Sequence, residues 1–283
     1  MLDGVILLWS ILSALSLLFV VVDIRSTPAP AVLKWGFVLL TAYTGPLGAF
    51  LYVLGCREPL PGLHERYVAS RWRQVLGSTM HCVAGDGVGI LVGAVIASVL
   101  RLHKAADIAL EYGLGFAFGW TVFQSLFMRG MKGGSYKKAL ASTFFPELLS
   151  MNCLMAGMVP AMMVGMKLAP SSHEPSAPAF WFIMSMALLA GFITAYPMNW
   201  WLVSRHMKHG MMTERSPRDS ASAGAHRNAH DDHVSGDSAD PKKKENEPST
   251  AKSVSNVTLA WVTAGSFVIF GIGLSMAVLF GDL

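Results

Sequence analysis

An aspartate and a glutamate set deep in apolar sequence are the residues of this chain best placed to do chemistry. In lipid an ionisable side chain has only a protein partner, a metal or a proton to satisfy it. Asp86 closes the stretch His81-Cys82-Val83-Ala84-Gly85-Asp86, and Glu147 opens the series Glu147, Met151, Met155, Met158, Met162, Met166. Residues four apart stack on one face of a helix, so Cys82 shares a face with Asp86, and the carboxylate of Glu147 is aligned with five thioethers. Two chemistries follow. Intramembrane acids mark ion or proton routes, with His81, Asp86 and Glu147 as the titrating groups and Gln124 and Asn199 as neutral partners. Thiol, imidazole and thioether are the ligands that a soft cation such as Cu(I) prefers, so His81, Cys82, Met80, Met151, Met155 and Met158 form a candidate metal path, with copper the one cofactor indicated. The same methionines serve equally as flexible packing between helices. The segment His206-Met207-Lys208-His209-Gly210-Met211-Met212 adds two imidazoles and three thioethers; its other reading is an interfacial extension with Lys and His toward headgroups.

The elements that must position these residues are membrane helices. Of 283 residues, 53% are hydrophobic and 14% charged, far below the quarter typical of soluble domains. Seven apolar runs long enough for a bilayer core are present: Leu2–Val22, Trp35–Leu54, Leu76–Leu100, Ile108–Met128, Leu140–Met166, Ala179–Val203 and Val257–Phe280. The expected fold is therefore all-α, an integral membrane bundle of seven transmembrane helices. Residues 1–212 hold six of them, 213–255 form a disordered charged cytoplasmic loop, and 256–283 hold the seventh. That loop is dominated by Ser, Asp, Glu, Lys, His and Asn and cannot bury a core of its own; His226, His230 and His233 in it read as solvated residues. No Lys or Arg precedes the first run, so it reads as a retained helix rather than a secretory signal.

Loops on one side carry four, four and nine of the 22 Lys and Arg, and those on the other carry two, two and one. Positive loops stay in the cytoplasm, which predicts a cytoplasmic amino terminus and an external carboxyl terminus in a bacterial inner membrane. At 1.5 Å per residue, His81, Glu147, Asn199 and Gln124 then lie in one layer roughly 8 to 12 Å inside the cytoplasmic face, with Asp86 somewhat deeper. Pro46, Pro146, Pro160 and Pro197 predict local bends, and glycines at 85, 87, 89 and 93 predict close helix packing.

Other classes lose support. The net charge of +4 is spread between apolar runs rather than over one face, which argues against nucleic acid as a partner. Three widely spaced cysteines make neither a disulfide framework nor a zinc site. No span interior offers a lysine for a retinal Schiff base, and a single intramembrane imidazole does not supply bis-His haem ligation. Without a phosphate loop, a nucleophile elbow or a zinc-protease motif, no enzyme is expected.

Three stretches, Tyr43-Thr44-Gly45-Pro46-Leu47, Gly77 through Asp86, and Phe192-Ile193-Thr194-Ala195-Tyr196-Pro197-Met198-Asn199-Trp200-Trp201-Leu202, together resemble a bacterial family of multi-pass membrane proteins known as a domain of unknown function, numbered forty-three ninety-six. The resemblance extends over nearly all the apolar chain and implies a membrane location, with no activity attached. Three functions remain: handling or transport of Cu(I), a proton-coupled permease for a small solute using Asp86 and Glu147, and a membrane scaffold or sensor whose charged loop recruits a cytoplasmic protein. Beyond the lipid bilayer, the partner is a metal ion, a small solute or that protein.

Overall fold

A computed structural model describes residues 2–60, 63–129, 135–210 and 255–281, and every regular element among them is helical. In chain order these are α1 (Leu2–Asp23), α2 (Ala31–Thr44), α3 (Pro46–Gly55), the short α4 (His64–Val68), α5 (Arg71–Leu100), α6 (Lys104–Phe118), a π-helical turn (Gly119–Gln124), α7 (Ser125–Arg129), α8 (Tyr136–Leu168), a 3-10 turn (Pro170–His173), α9 (Pro178–Ser204) and α10 (Asn256–Gly281). The loop expected over 213–255, with His226, His230 and His233, falls outside the described residues apart from Ser255, as do Met211 and Met212.

The seven apolar runs appear as seven helical segments among the described residues. Five are unbroken and long enough to cross a membrane: α1, α5, α8, α9 and α10. The other two are interrupted. Gly45 stands between α2 and α3 with a φ of 59°, and Pro46 explains the break, since its ring excludes the helical conformation from the preceding residue. In the fourth segment, α6 passes into the π turn and then α7, with no proline responsible.

Burial separates the centre of the bundle from its edge. The most apolar stretch of α8 is 72% buried, against 11% for α1 and 17% for α10. Met151, Met155, Met158 and Met162 are wholly buried, which seats the methionine face in the core. The glycines of α5 draw in the fourth segment. A side chain at Gly89 would strike the Leu114 carbonyl, one at Gly93 would come within 2.9 Å of Glu111 Cα, and one at Gly85 within 2.8 Å of Phe123. Helices in lipid associate through such small-residue contacts, which bring backbone against backbone. Gly87 instead receives the Tyr43 ring, and the Tyr43 hydroxyl donates to the Ala84 carbonyl at 2.5 Å.

After α9 the chain turns back. His206 adopts a left-handed conformation with φ 57°, and the Met207 and Lys208 amides donate to the Leu202 carbonyl at 2.9 and 3.3 Å. Gly210 then lies against Gln74 of α5. This overturns the reading of Lys208 as a headgroup-facing residue: the turn at His206 directs it into the bundle, where it is buried.

Candidate functional site

Cys82 is the hub of the buried polar cluster. Its sulfur accepts from Lys208 Nζ at 2.6 Å and from Gln124 Nε2 at 3.0 Å, and its thiol donates to Glu147 Oε2 at 3.4 Å. Lys208 also donates to that carboxylate oxygen at 3.1 Å, and the two side chains of this ion pair are 3% and 0% exposed. Four stretches of chain supply the set: Cys82 from the middle of α5, Gln124 from the end of the π turn, Glu147 from α8 and Lys208 from the returning segment after α9.

Asp86 completes it. One turn along α5 from Cys82, it lies within hydrogen-bonding reach of Glu147. No N–H or hydroxyl among the described residues reaches either Asp86 oxygen or Glu147 Oε1. A proton between the two carboxyls is what can hold them together, because a pair of bare carboxylates in contact repel. Gly119 makes room for this contact, since a side chain there would overlap Asp86 Oδ1 and sit 2.9 Å from Glu147 Oε1. The π turn has a positional role: its i→i+5 hydrogen bonding brings residues five apart toward one side, so that Gly119 and Gln124 both face the cluster.

His81 sits at the border. It is buried, and its ring packs edge-on against Phe123, with centroids 5.5 Å apart. With Ser78, Gln124 and His209 it borders a void of about 10 Å³, enough for roughly one water. Of the residues expected to form a site, His81, Cys82, Asp86, Gln124 and Glu147 are thus brought to one place.

The remaining candidates go elsewhere. Met80 directs its sulfur toward Gly36 of α2, and the Met151 methyl lies against Gly115 of α6. Met155 and Met158 are core residues. Asn199 donates to Ser150 at 3.0 Å and to the Ala195 carbonyl at 3.1 Å, pinning α9 to α8. Among the described residues no group of three or more His, Cys, Asp and Glu side chains forms a cage for a metal ion, and the cation beside Cys82 is the Lys208 ammonium.

Two important residues escaped sequence reasoning. Lys208 lies four residues past the end of α9, and neither glycine nor asparagine marks the turn at His206 that redirects it. The usable signal was charge balance, since two acids at one depth require a cation. Glu111, four residues after Asp107 and three into the fourth apolar run, is also buried. Glu111 is thus a further buried acid within the apolar runs.

An all-helical membrane bundle with an ion pair and a carboxyl pair at its centre is the class of protein that fold and site define. Residues 71–208 match the family model described as a domain of unknown function (DUF4396), and over this stretch the chain is similar to that family. The match is narrower than the resemblance suggested: it leaves out Tyr43 through Leu47 along with α1, α2, α3 and α10. It opens on the first residue of α5 and closes on Lys208, enclosing every member of the cluster. Comparison with curated proteins and with solved structures gave no match.

Proposed function

We propose that this protein is a proton-coupled permease for a small solute, with the Asp86 and Glu147 carboxyls as the proton site and Lys208 as their internal counter-ion. The single observation that carries this reading is the contact between two buried carboxyls in which, among the described residues, no N–H or hydroxyl reaches the Asp86 oxygens or Glu147 Oε1, with the Lys208 ammonium on Glu147 Oε2. With one proton on the pair the cluster is neutral: an ammonium, a carboxylate and a carboxylic acid. Loss of that proton leaves a net negative charge in the apolar interior, and gain of a second leaves a net positive one. Either change is costly there, and a rearrangement that admits water or moves Lys208 relieves it. Protonation thereby selects between arrangements of the bundle, the coupling that a permease needs. The segment bearing Lys208 is joined to α9 only through the turn at His206, which makes it the natural part to move.

The soft-cation reading keeps Cys82 and His81 but loses its thioethers, because Met80 and Met151 pack against other helices. The scaffold reading rests on the loop at 213–255. By the positive-inside rule, the site opens nearer the cytoplasmic face of a bacterial inner membrane, with the amino terminus inside and the carboxyl terminus outside.

Two measurements test the proposal. Infrared difference spectra of the purified protein, recorded across pH, are expected to show a protonated carboxyl band that disappears in Asp86→Asn. Proteoliposomes loaded with a fluorescent pH indicator are then exposed to gradients of small amines, carboxylates, amino acids and sugars. Solute-dependent proton movement that Asp86→Asn abolishes is expected; proton movement with none of the four classes, or unchanged movement in the variant, defeats it.

A further inference from the structure

A second site lies at the opposite end of the helices that build the first. Between the end of α5, the start of α6, the end of α8 and the start of α9 is a chamber of about 910 Å³, within the size range of small-molecule sites. Its charges are sorted by depth. Arg101, Lys104, Lys167 and Glu174 are exposed at its rim, whereas Glu111 is 1% exposed, and among the described residues no donor reaches either Glu111 carboxyl oxygen or Asp107 Oδ1. Apolar surface from Met163 and Phe180 completes the lining.

The basic rim residues are exposed to water. Glu111 is not: Gly93 draws α6 so close to α5 that the glutamate is enclosed at the helix contact. An enclosed carboxylate without donors is unfavourable unless a cation or a proton reaches it. The chamber has room for such a cation, and its aliphatic and aromatic wall suits a short hydrocarbon body.

We infer that this chamber binds a small organic cation bearing N–H donors and a short apolar body, its charged head on Glu111 and Asp107 and its body against Met163 and Phe180. Glu111 and Asp107 both line the chamber. The chamber floor and Asp86 are about 12 Å apart along α5, two turns. In that interval Ile90 and Met151 close on Gly115, and the methionine face of α8 runs on to Met166 in the chamber wall. Flexible thioethers thus occupy the interval between the solute site and the proton site. That the bound cation is also the transported solute rests on the permease reading; the binding itself does not.

The test is equilibrium dialysis of the full-length protein in detergent with radiolabelled butylguanidinium, a cation that stays charged at every working pH. Saturable binding is expected, displaced by butylammonium and not by butyrate or potassium chloride, and weakened at least tenfold in Glu111→Gln and less in Asp107→Asn. The isosteric Glu111→Gln is checked by thermal unfolding, and the Asp107→Asn protein supplies an independent reading should it fail to fold. Absence of saturable binding, equal displacement by butyrate, or undiminished binding in both variants overturns the inference. The infrared carboxyl band of the Asp86 pair is untouched by those failures, so the two proposals fall separately.

Discussion

The bundle buries acids in two places and reconciles them with lipid in two ways. Around Glu147 the chain supplies its own cation, with Lys208 at 3.1 Å and the Cys82 thiol on the same carboxylate oxygen, while the Gln124 amide donates to that sulfur. Around Glu111 no donor among the described residues reaches the carboxyl, and a chamber stands beside it instead. A closed, internally balanced site responds to a proton, because little else fits the void of about 10 Å³ beside it. An acid facing a large chamber can respond to a cation from outside. The two sites share α5, the fourth segment and α8, so helix movement at one is felt at the other.

The largest effect that would break this contrast is expected at Lys208. Lys208→Met leaves Glu147 as a buried charge without its counter-ion and should lower stability by about 3 to 5 kcal/mol, as removal of one partner of a buried pair does. Adding Glu147→Gln to that variant should restore most of the loss in thermal unfolding of the detergent-solubilised protein. If the double variant is no more stable than Lys208→Met, the pair is not the balance described.

Gly119 offers the next test. Gly119→Ala forces a methyl group onto Asp86 Oδ1 and should cost about 1 to 3 kcal/mol through overpacking, together with the protonated-carboxyl infrared signature. Gly113, on the same segment, has open space where its Cβ would stand. Gly113→Ala should therefore be neutral, or stabilising by up to about 1 kcal/mol through lower unfolded-state entropy. Equal behaviour of the two alanine variants would remove the carboxyl contact as the reason for glycine at 119.

A smaller, opposite effect is expected at the other acid. Glu111→Gln exchanges an unpaired acid for a neutral group of the same shape, so stability should stay within about 1 kcal/mol of the parent or rise, whereas breaking a buried ion pair lowers it strongly. A loss as large as that of Lys208→Met would mean that Glu111 is internally partnered after all.

The sequence disclosed the fold because hydropathy over some twenty residues is a local signal, and all seven runs appear as helical segments. It disclosed the convergence of His81, Cys82, Asp86, Gln124 and Glu147 because depth is counted along each helix at a fixed rise. Rotation about the helix axis was less legible. Asn199 shares the depth of the cluster but faces Ser150, and Met80 turns toward Gly36, since the facing of neighbouring helices is settled by contacts distant in sequence. Lys208 was hidden for another reason: a turn in a non-glycine residue, His206, carries no local mark. Glu111 was overlooked because an acid near the end of a run resembles one at the interface until the neighbouring helix, drawn in at Gly93, covers it.

A final substitution separates packing from ligation in the methionine face. Met151 and Met155 are wholly buried, and exchange for leucine nearly conserves volume, so Met151→Leu with Met155→Leu should lower stability by less than about 1.5 kcal/mol per site. Were the thioethers ligands for Cu(I), that double variant would lose the metal and the activity that depends on it. If they line a closure between the chamber and the carboxyl pair, proton-coupled uptake should persist with an altered rate, because leucine fills the space with fewer rotatable bonds than methionine. Uptake assays on the double variant beside Asp86→Asn decide the matter: abolition in both assigns chemistry to sulfur, and abolition in Asp86→Asn alone assigns it to the carboxyls, with the methionines acting by shape.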